Sequence, residues 1–146
     1  MSDFNQQLRM HVYEHFVETS RAPSIAQCAE ALQITADEVR RDFRQLADLS
    51  MLVLQADDEI LMAEPFSAVP TAFNVDVNVQ RYWANCMWDA LGVAAALNKD
   101  AVVTTCCADC GDALEVVIEN SAITSGAGLV HFAVPASEWW RDVVFT

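Results

Sequence analysis

The apolar residues of this chain change their repeat part-way along. Through the first two thirds they recur mostly at helical spacing, and after Asn98-Lys99-Asp100 they alternate. A helix buries a stripe that returns about every 3.6 residues, whereas a half-buried strand buries every second side chain. Helices first and strands later predict an α+β chain. The opening segment, residues 3–19, places Phe4, Leu8, Val12 and Phe16 four apart, with Tyr13 and Val17 widening the stripe. Ser24 with Gln27, and Thr35 with Glu38, are capping-box pairs. The first opens a short helix to about Leu32. The second opens a helix carrying Val39, Phe43 and Leu46 and ending near Leu49. Two apolar runs, Met51–Leu54 and Ile60–Met62, flank Asp57-Asp58-Glu59 as a hairpin would. Three helices and a hairpin predict a winged helix-turn-helix-like domain over residues 1–64.

Pro65 and Pro70 mark residues 65–78 as an extended linker. A long helix is expected over Val79–Leu97, with Gly92 as a kink or close packing point. Alternation predicts strands at Ala101–Thr105, Leu114–Glu119 and Leu129–Val134. Between them, Cys106–Asp112 reads as a tight turn and Ser121–Gly128 as a small-residue turn. Pro135–Trp140 reads as one helical turn, and Val143-Val144-Phe145-Thr146 as the start of a further strand. Residues 79–146 are therefore expected to form a mixed α/β domain that is incomplete, since a domain seldom stops on an apolar run inside an element.

Charge narrows the partners. Eight Lys and Arg stand against 21 Asp and Glu, a formal charge of −13. Polyanion binding draws its affinity from clustered cations. The helix bearing Arg40, Arg41 and Arg44 also carries Asp37, Glu38, Asp42 and Asp48, and the hairpin tip is acidic. A structural or dimerising module, with a homodimer as partner, is expected in preference to a nucleic-acid binder. With 53% apolar residues the chain can bury a core, so disorder is excluded. Met1-Ser2-Asp3-Phe4-Asn5 lacks the basic start and apolar run of a signal peptide, and no stretch approaches the roughly 18 apolar residues of a membrane span. The expectation is a cytoplasmic protein without a membrane partner. Its five cysteines, Cys28, Cys86, Cys106, Cys107 and Cys110, are then reduced thiols.

Thiols and carboxylates are the chemistry on offer. Cys86-Met87-Trp88-Asp89 puts a thiol and a carboxyl three residues apart, on one face of a helix. A thiolate is a soft nucleophile and a soft-metal ligand, and a carboxyl beside it, desolvated among Trp83 and Trp88, would hold its proton. An inert buried cysteine is the plainer reading. Asp89 counts against it, because a carboxylate among Trp88, Ala90 and Leu91 is costly unless paired or functional. Cys107-x-x-Cys110-Gly111 has the shape of one zinc knuckle, which is half of the four-ligand site that structural zinc needs. Buried structural thiols, metal handling, zinc shared between chains and redox use all remain open for this turn. Cys28 is expected in the core, His131 on a strand face, and Trp139-Trp140 in packing.

The segment Tyr82-Trp83-Ala84-Asn85-Cys86-Met87-Trp88-Asp89-Ala90-Leu91-Gly92 resembles the central motif of the organomercurial (alkylmercury) lyase family, a Trp-x-x-Cys-x-x-Asp helix. The run Val130-His131-Phe132-Ala133-Val134-Pro135-Ala136, followed by Trp139-Trp140, is similar to divergent members. The resemblance implies a winged-helix-like domain followed by a mixed α/β catalytic domain. It also implies protonolysis of a carbon–mercury bond in a small organomercurial, with no cofactor required and Hg(II) as the bound product. Cys86 would match the first mercury-binding thiol and Asp89 the carboxyl that relays the proton. Cys107 would match a family cysteine regarded as structural. The family's second catalytic cysteine would follow Thr146, where this chain ends. A truncated product, loss of activity, or substitution by Cys106, Cys107 or Cys110 are the alternatives to weigh. Two rivals stand beside a lyase: a non-catalytic thiol module for mercury or another soft metal, and a winged-helix regulator that senses metal through its cysteines.

Overall fold

A computed structural model describes residues 3–132 and 134–141. The chain divides into two compact units at Pro70.

The first unit opens with helix α1 (Asp3–Thr19), whose Leu8, Val12 and Phe16 are fully buried at the predicted four-residue spacing. Phe16 stacks on Phe66 with ring centroids 5.2 Å apart, and the Tyr13 hydroxyl donates to the Glu64 carbonyl at 3.0 Å. Helices α2 (Ile25–Leu32) and α3 (Ala36–Asp48) each begin with a complete capping box. In α2 the Ser24 N–H donates to Gln27 Oε1 at 2.8 Å, and the Gln27 N–H donates back to Ser24 Oγ at 3.2 Å. These bonds satisfy donors that a helix start leaves orphaned. Val39, Phe43 and Leu46 of α3 are fully buried. Strands β1 (Val53–Leu54) and β2 (Ile60–Ala63) form the expected antiparallel hairpin.

The three arginines of α3 all face carboxylates. Arg40 pairs with Asp37 at 3.1 Å and Arg41 with Asp42 at 3.1 Å. Arg44 makes a two-pronged pair with Asp58 at the hairpin tip, at 2.8 and 2.6 Å.

Residues 65–78 are not a linker. They contain strand β3 (Phe66–Ser67), paired with β2, and strand β4 (Phe73–Val77). Phe73-Asn74-Val75-Asp76-Val77 alternates cleanly, with Val75 and Val77 buried, and that alternation outweighs the two prolines.

The second unit is a helix on an antiparallel sheet. Its strands are β4, β5 (Gln80–Ala84), β6 (Ala101–Cys106), β7 (Ala113–Glu119) and β8 (Ala122–Ser125), side by side in the order β5-β4-β6-β7-β8. Helix α4 (Met87–Leu97) packs on β4, β5 and β6 through Ala90, Val93 and Ala94. The long helix expected from Val79 is thus half strand. Asn78, at φ 55°, turns the chain tightly, and β5 pairs back along β4. Tyr82 and Ala84 point inward with a period of two, and the alanine-rich stretch that follows masked the change of period.

The strands expected at Ala101–Thr105 and Leu114–Glu119 are present as β6 and β7. The third lies earlier than expected. Asn120 and Ser121, both at positive φ, turn the chain straight into β8. Residues 129–132 carry no strand, and Leu129 is 99% exposed. All four β8 residues are exposed, so no buried alternation announced them. A 3-10 turn at Ala136–Arg141 takes the place of the predicted helical turn. The strand expected from Val143 lies outside the described residues. Among the described residues no helix is long and apolar enough to cross a membrane.

Candidate functional site

Cys86 is the N-cap of α4 rather than a residue inside a helix. Its backbone is extended, at φ −148° and ψ 179°, and its carbonyl accepts the first helical bond from the Ala90 N–H at 2.9 Å. Asp89 is then the third residue of the helix. N-cap and third positions face each other across a helix start, which is why Ser/Thr and Glu/Gln use them in capping boxes. The sequence places a thiol and a carboxyl there.

Asp89 is 8% exposed, and Cys86 is half-buried. Burial pushes the Cys86 thiol pKa up. The Asp89 N–H pulls it down, the Asp89 carboxylate pushes it up by charge, and the Trp88 N–H pulls it down. The net direction is upward, so the free thiol keeps its proton to higher pH than an ordinary cysteine.

The expected lining by two tryptophans needs correction. Trp83 is half-buried, but Trp88 stands 62% exposed on the outer side of α4. Helical rotation from Cys86 and Asp89 carries residue 88 to the solvent face.

A residue missed in the sequence holds the strand that delivers Cys86. The Thr71 hydroxyl donates to the Ala84 carbonyl at 2.5 Å and accepts from the Phe73 N–H at 3.1 Å. It pins the end of β5 to the start of β4, two residues before Cys86. Its assignment to a linker hid it, and no motif would have revealed it.

The cysteine turn leaves the same edge of the sheet. Trp83 of β5 and Thr104 of β6 both lie opposite Asn74 of β4. Both strands are antiparallel to β4, so they run parallel to each other and finish at one edge, about 10 Å apart by two strand spacings. Cys86 follows the end of β5, and Cys107 follows the end of β6. Thr105 Oγ1, also near that edge, is buried without a hydrogen-bond partner among the described residues; a threonine in a strand gives no sequence signal for this.

The turn itself is closed by the Cys107 N–H donating to the Asp112 carbonyl at 2.8 Å and the Gly111 N–H donating to the Cys107 carbonyl at 2.9 Å. Gly111 takes φ 77°, a region that disfavours a side chain. Cys106 and Cys110 are exposed, and Cys107 is half-exposed; the reading of these thiols as buried is overturned, because the turn projects beyond the sheet. The N–H groups of Cys110 and Asp109, and the Cys110 thiol, hold the Cys107 pKa below the usual cysteine value. The Asp112 N–H pulls the Cys110 pKa down, but hydrogen bonds to the Cys107 thiol and the Asp112 side chain push it up, and the net direction is upward. Cys28 is fully buried, as expected, and burial followed by the Glu59 charge pushes its pKa up to about 12. Among the described residues no three His, Cys, Asp or Glu side chains converge as a metal-binding group. His131 is exposed and lies in no strand, while the Trp139 ring packs at 4.7 Å from Phe132.

Residues 66–146 match the family model for MerB, alkylmercury lyase. Among solved structures, the mercury-bound form of MerB2 is similar in fold, with a TM-score of 0.69 and 21% identity. The match covers 86% of this chain and 61% of that one, so the chain spans about three fifths of that relative's length. A search of curated proteins gives no match. The family model takes in more than half of the chain, together with β4, β5, α4 and the whole cysteine turn, and the chain belongs to the alkylmercury lyase family.

Proposed function

We propose that this protein cleaves carbon–mercury bonds of small organomercurials by protonolysis, with Cys86 taking the mercury and Asp89 supplying the proton. The observation that carries this reading is the placement of Cys86 and the buried Asp89 at facing positions of one helix start, within the segment that matches the family. Mercury is soft and selects thiolate over oxygen ligands, by the same logic that sorts other metals. An organomercury cation, R–Hg⁺, displaces the Cys86 S–H proton, which passes to the neighbouring Asp89 carboxylate, to give Cys86 S–Hg–R and a neutral Asp89 carboxyl. Thiolate donation then increases electron density at the carbon. The Asp89 carboxyl protonates that carbon, the electron pair of the C–Hg bond becomes the new C–H bond, and R–H leaves. Mercury stays as Hg(II), held by the Cys86 sulfur, and the Asp89 carboxylate balances its second charge. A general acid must reach the atom it protonates, which the shared helix start provides. No cofactor is needed for this sequence of steps.

The N-terminal unit we read as winged-helix-like, with a scaffolding or dimerising role. Its α3 arginines are engaged by Asp37, Asp42 and Asp58, which argues against a nucleic-acid partner and hence against a metal-responsive regulator. A cytoplasmic setting, which keeps the thiols reduced, fits this chemistry.

The test is incubation of the full chain with phenylmercury and an excess of a small thiol, with benzene measured by gas chromatography. Benzene formed above the thiol-only control supports a lyase. Retained phenylmercury without benzene would leave a soft-metal-binding protein in its place.

A further inference from the structure

We propose that Cys107 and Cys110 form a second soft-metal site, separate from Cys86, that chelates Hg(II) between two thiolates. The two residues sit three apart on one helical turn, which the Gly111 N–H bond to the Cys107 carbonyl closes at 2.9 Å. Residues so spaced project to the same side. Their sulfurs lie within hydrogen-bond reach of each other, and the N–H groups of Asp109 and Cys110 point at the Cys107 sulfur. Such a concavity of backbone N–H groups stabilises a thiolate, as nests do for anions. Both side chains are open to solvent, so a metal ion reaches them without any movement of the core.

Ligand number decides the metal class. Structural zinc takes four protein ligands. The described residues offer no group of three His, Cys, Asp or Glu that could hold one ion. Two thiolates alone satisfy a soft d10 ion that accepts two-coordination, and Hg(II) is such an ion. Binding replaces two S–H bonds by two S–Hg bonds and releases two protons. Mercury remains Hg(II), and no electrons are transferred. The site stands whether or not Cys86 and Asp89 perform catalysis. Its position at the sheet edge shared with Cys86 suits it to receive mercury arriving at or leaving that residue.

The test uses the full chain carrying Cys86→Ser, reduced, so that only the other thiols report. Hg(II) is added with 2-mercaptoethanol as a competing monothiol, and protein-bound mercury is measured after gel filtration. A chelate outcompetes a monothiol where a single cysteine does not. Adding Cys110→Ser is expected to weaken retention by about 100-fold or more, the gain that a linked second ligand provides. Adding Cys106→Ser instead is expected to leave retention unchanged. Cys110 is exposed, and far-ultraviolet circular dichroism checks that its replacement leaves the fold intact. Equal retention with and without Cys110, or retention lost with Cys106→Ser alone, would overturn the proposal. Benzene release by wild type is a separate readout, so failure of the lyase reading and failure of this site are distinguishable.

Discussion

Cys86 and Asp89 occupy the N-cap and third positions of α4, the places where a hydroxyl and a carboxylate ordinarily cap a helix. The N–H groups of Asp89 and Trp88 act on the Cys86 sulfur from the helix start. The thiol is half-buried rather than sealed in the core, and the backbone begins the helix beneath it. Cys86→Ser is expected to abolish retention of phenylmercury at this site, since a hydroxyl is a hard and weakly acidic ligand. It is also expected to leave folding intact or slightly improve it, because serine is a good N-cap. Mercury content after gel filtration, alongside thermal unfolding, checks both halves. Undiminished retention at unchanged stoichiometry would remove Cys86 from the mechanism.

The thiols should titrate in an order that their surroundings set. Burial holds the Cys86 pKa above the ordinary cysteine value, and backbone N–H groups hold that of Cys107 below it. Only the thiolate reacts with iodoacetamide. At neutral pH Cys107 is expected to be alkylated well before Cys86, and Cys86 should catch up only as pH rises. Peptide mapping by mass spectrometry over a pH series reads the order directly. Asp89→Asn removes a negative charge that raises the Cys86 pKa, so its alkylation profile should move to lower pH.

Ser24→Ala removes one half of the α2 capping box. The lost bond to the Gln27 N–H should cost about 1 kcal/mol of stability. Urea unfolding would show a lower midpoint at an unchanged slope. No change would mean that water caps this helix as well as the serine does.

Cys28 gives an alkaline signature. Its folded pKa of about 12 exceeds that of an exposed thiol, so the folded state holds the proton more tightly than the unfolded state. Its contribution to stability is complete below the unfolded value and declines as pH rises through the interval up to about 12. Cys28→Ala should cost about 1 kcal/mol at neutral pH through lost packing, and should flatten this part of the alkaline decline. Parallel alkaline slopes for wild type and variant would contradict the assignment.

The first unit was legible because its signals are local. Capping boxes and four-residue stripes involve neighbours in sequence, and they predicted α1, α2 and α3 with nearly the observed limits. β4 and β5 were missed because pairing decides them. Val75 and Tyr82 are buried opposite each other across a turn at Asn78, whereas the sequence showed two prolines upstream and a run of alanines downstream. The Cys86–Asp89 spacing was readable, but its meaning changed: an N-cap pair aims at one point for a different reason than two residues within a helix. Thr71 could not be read, since its role depends on where Ala84 ends its strand. Exposure of the cysteine turn was equally hidden, because it depends on how far a hairpin projects from its sheet.

The most direct measurement is hydrocarbon release by Asp89→Asn, with bound mercury quantified in the same samples. Asparagine keeps the size of the side chain but cannot deliver the carboxyl proton. The variant is expected to retain phenylmercury on Cys86 and to form benzene about a hundredfold more slowly than wild type, or slower still, as loss of a general acid typically does. Benzene formed at equal rates by wild type and Asp89→Asn would contradict the account, because the buried carboxyl facing Cys86 would then play no part in breaking the carbon–mercury bond.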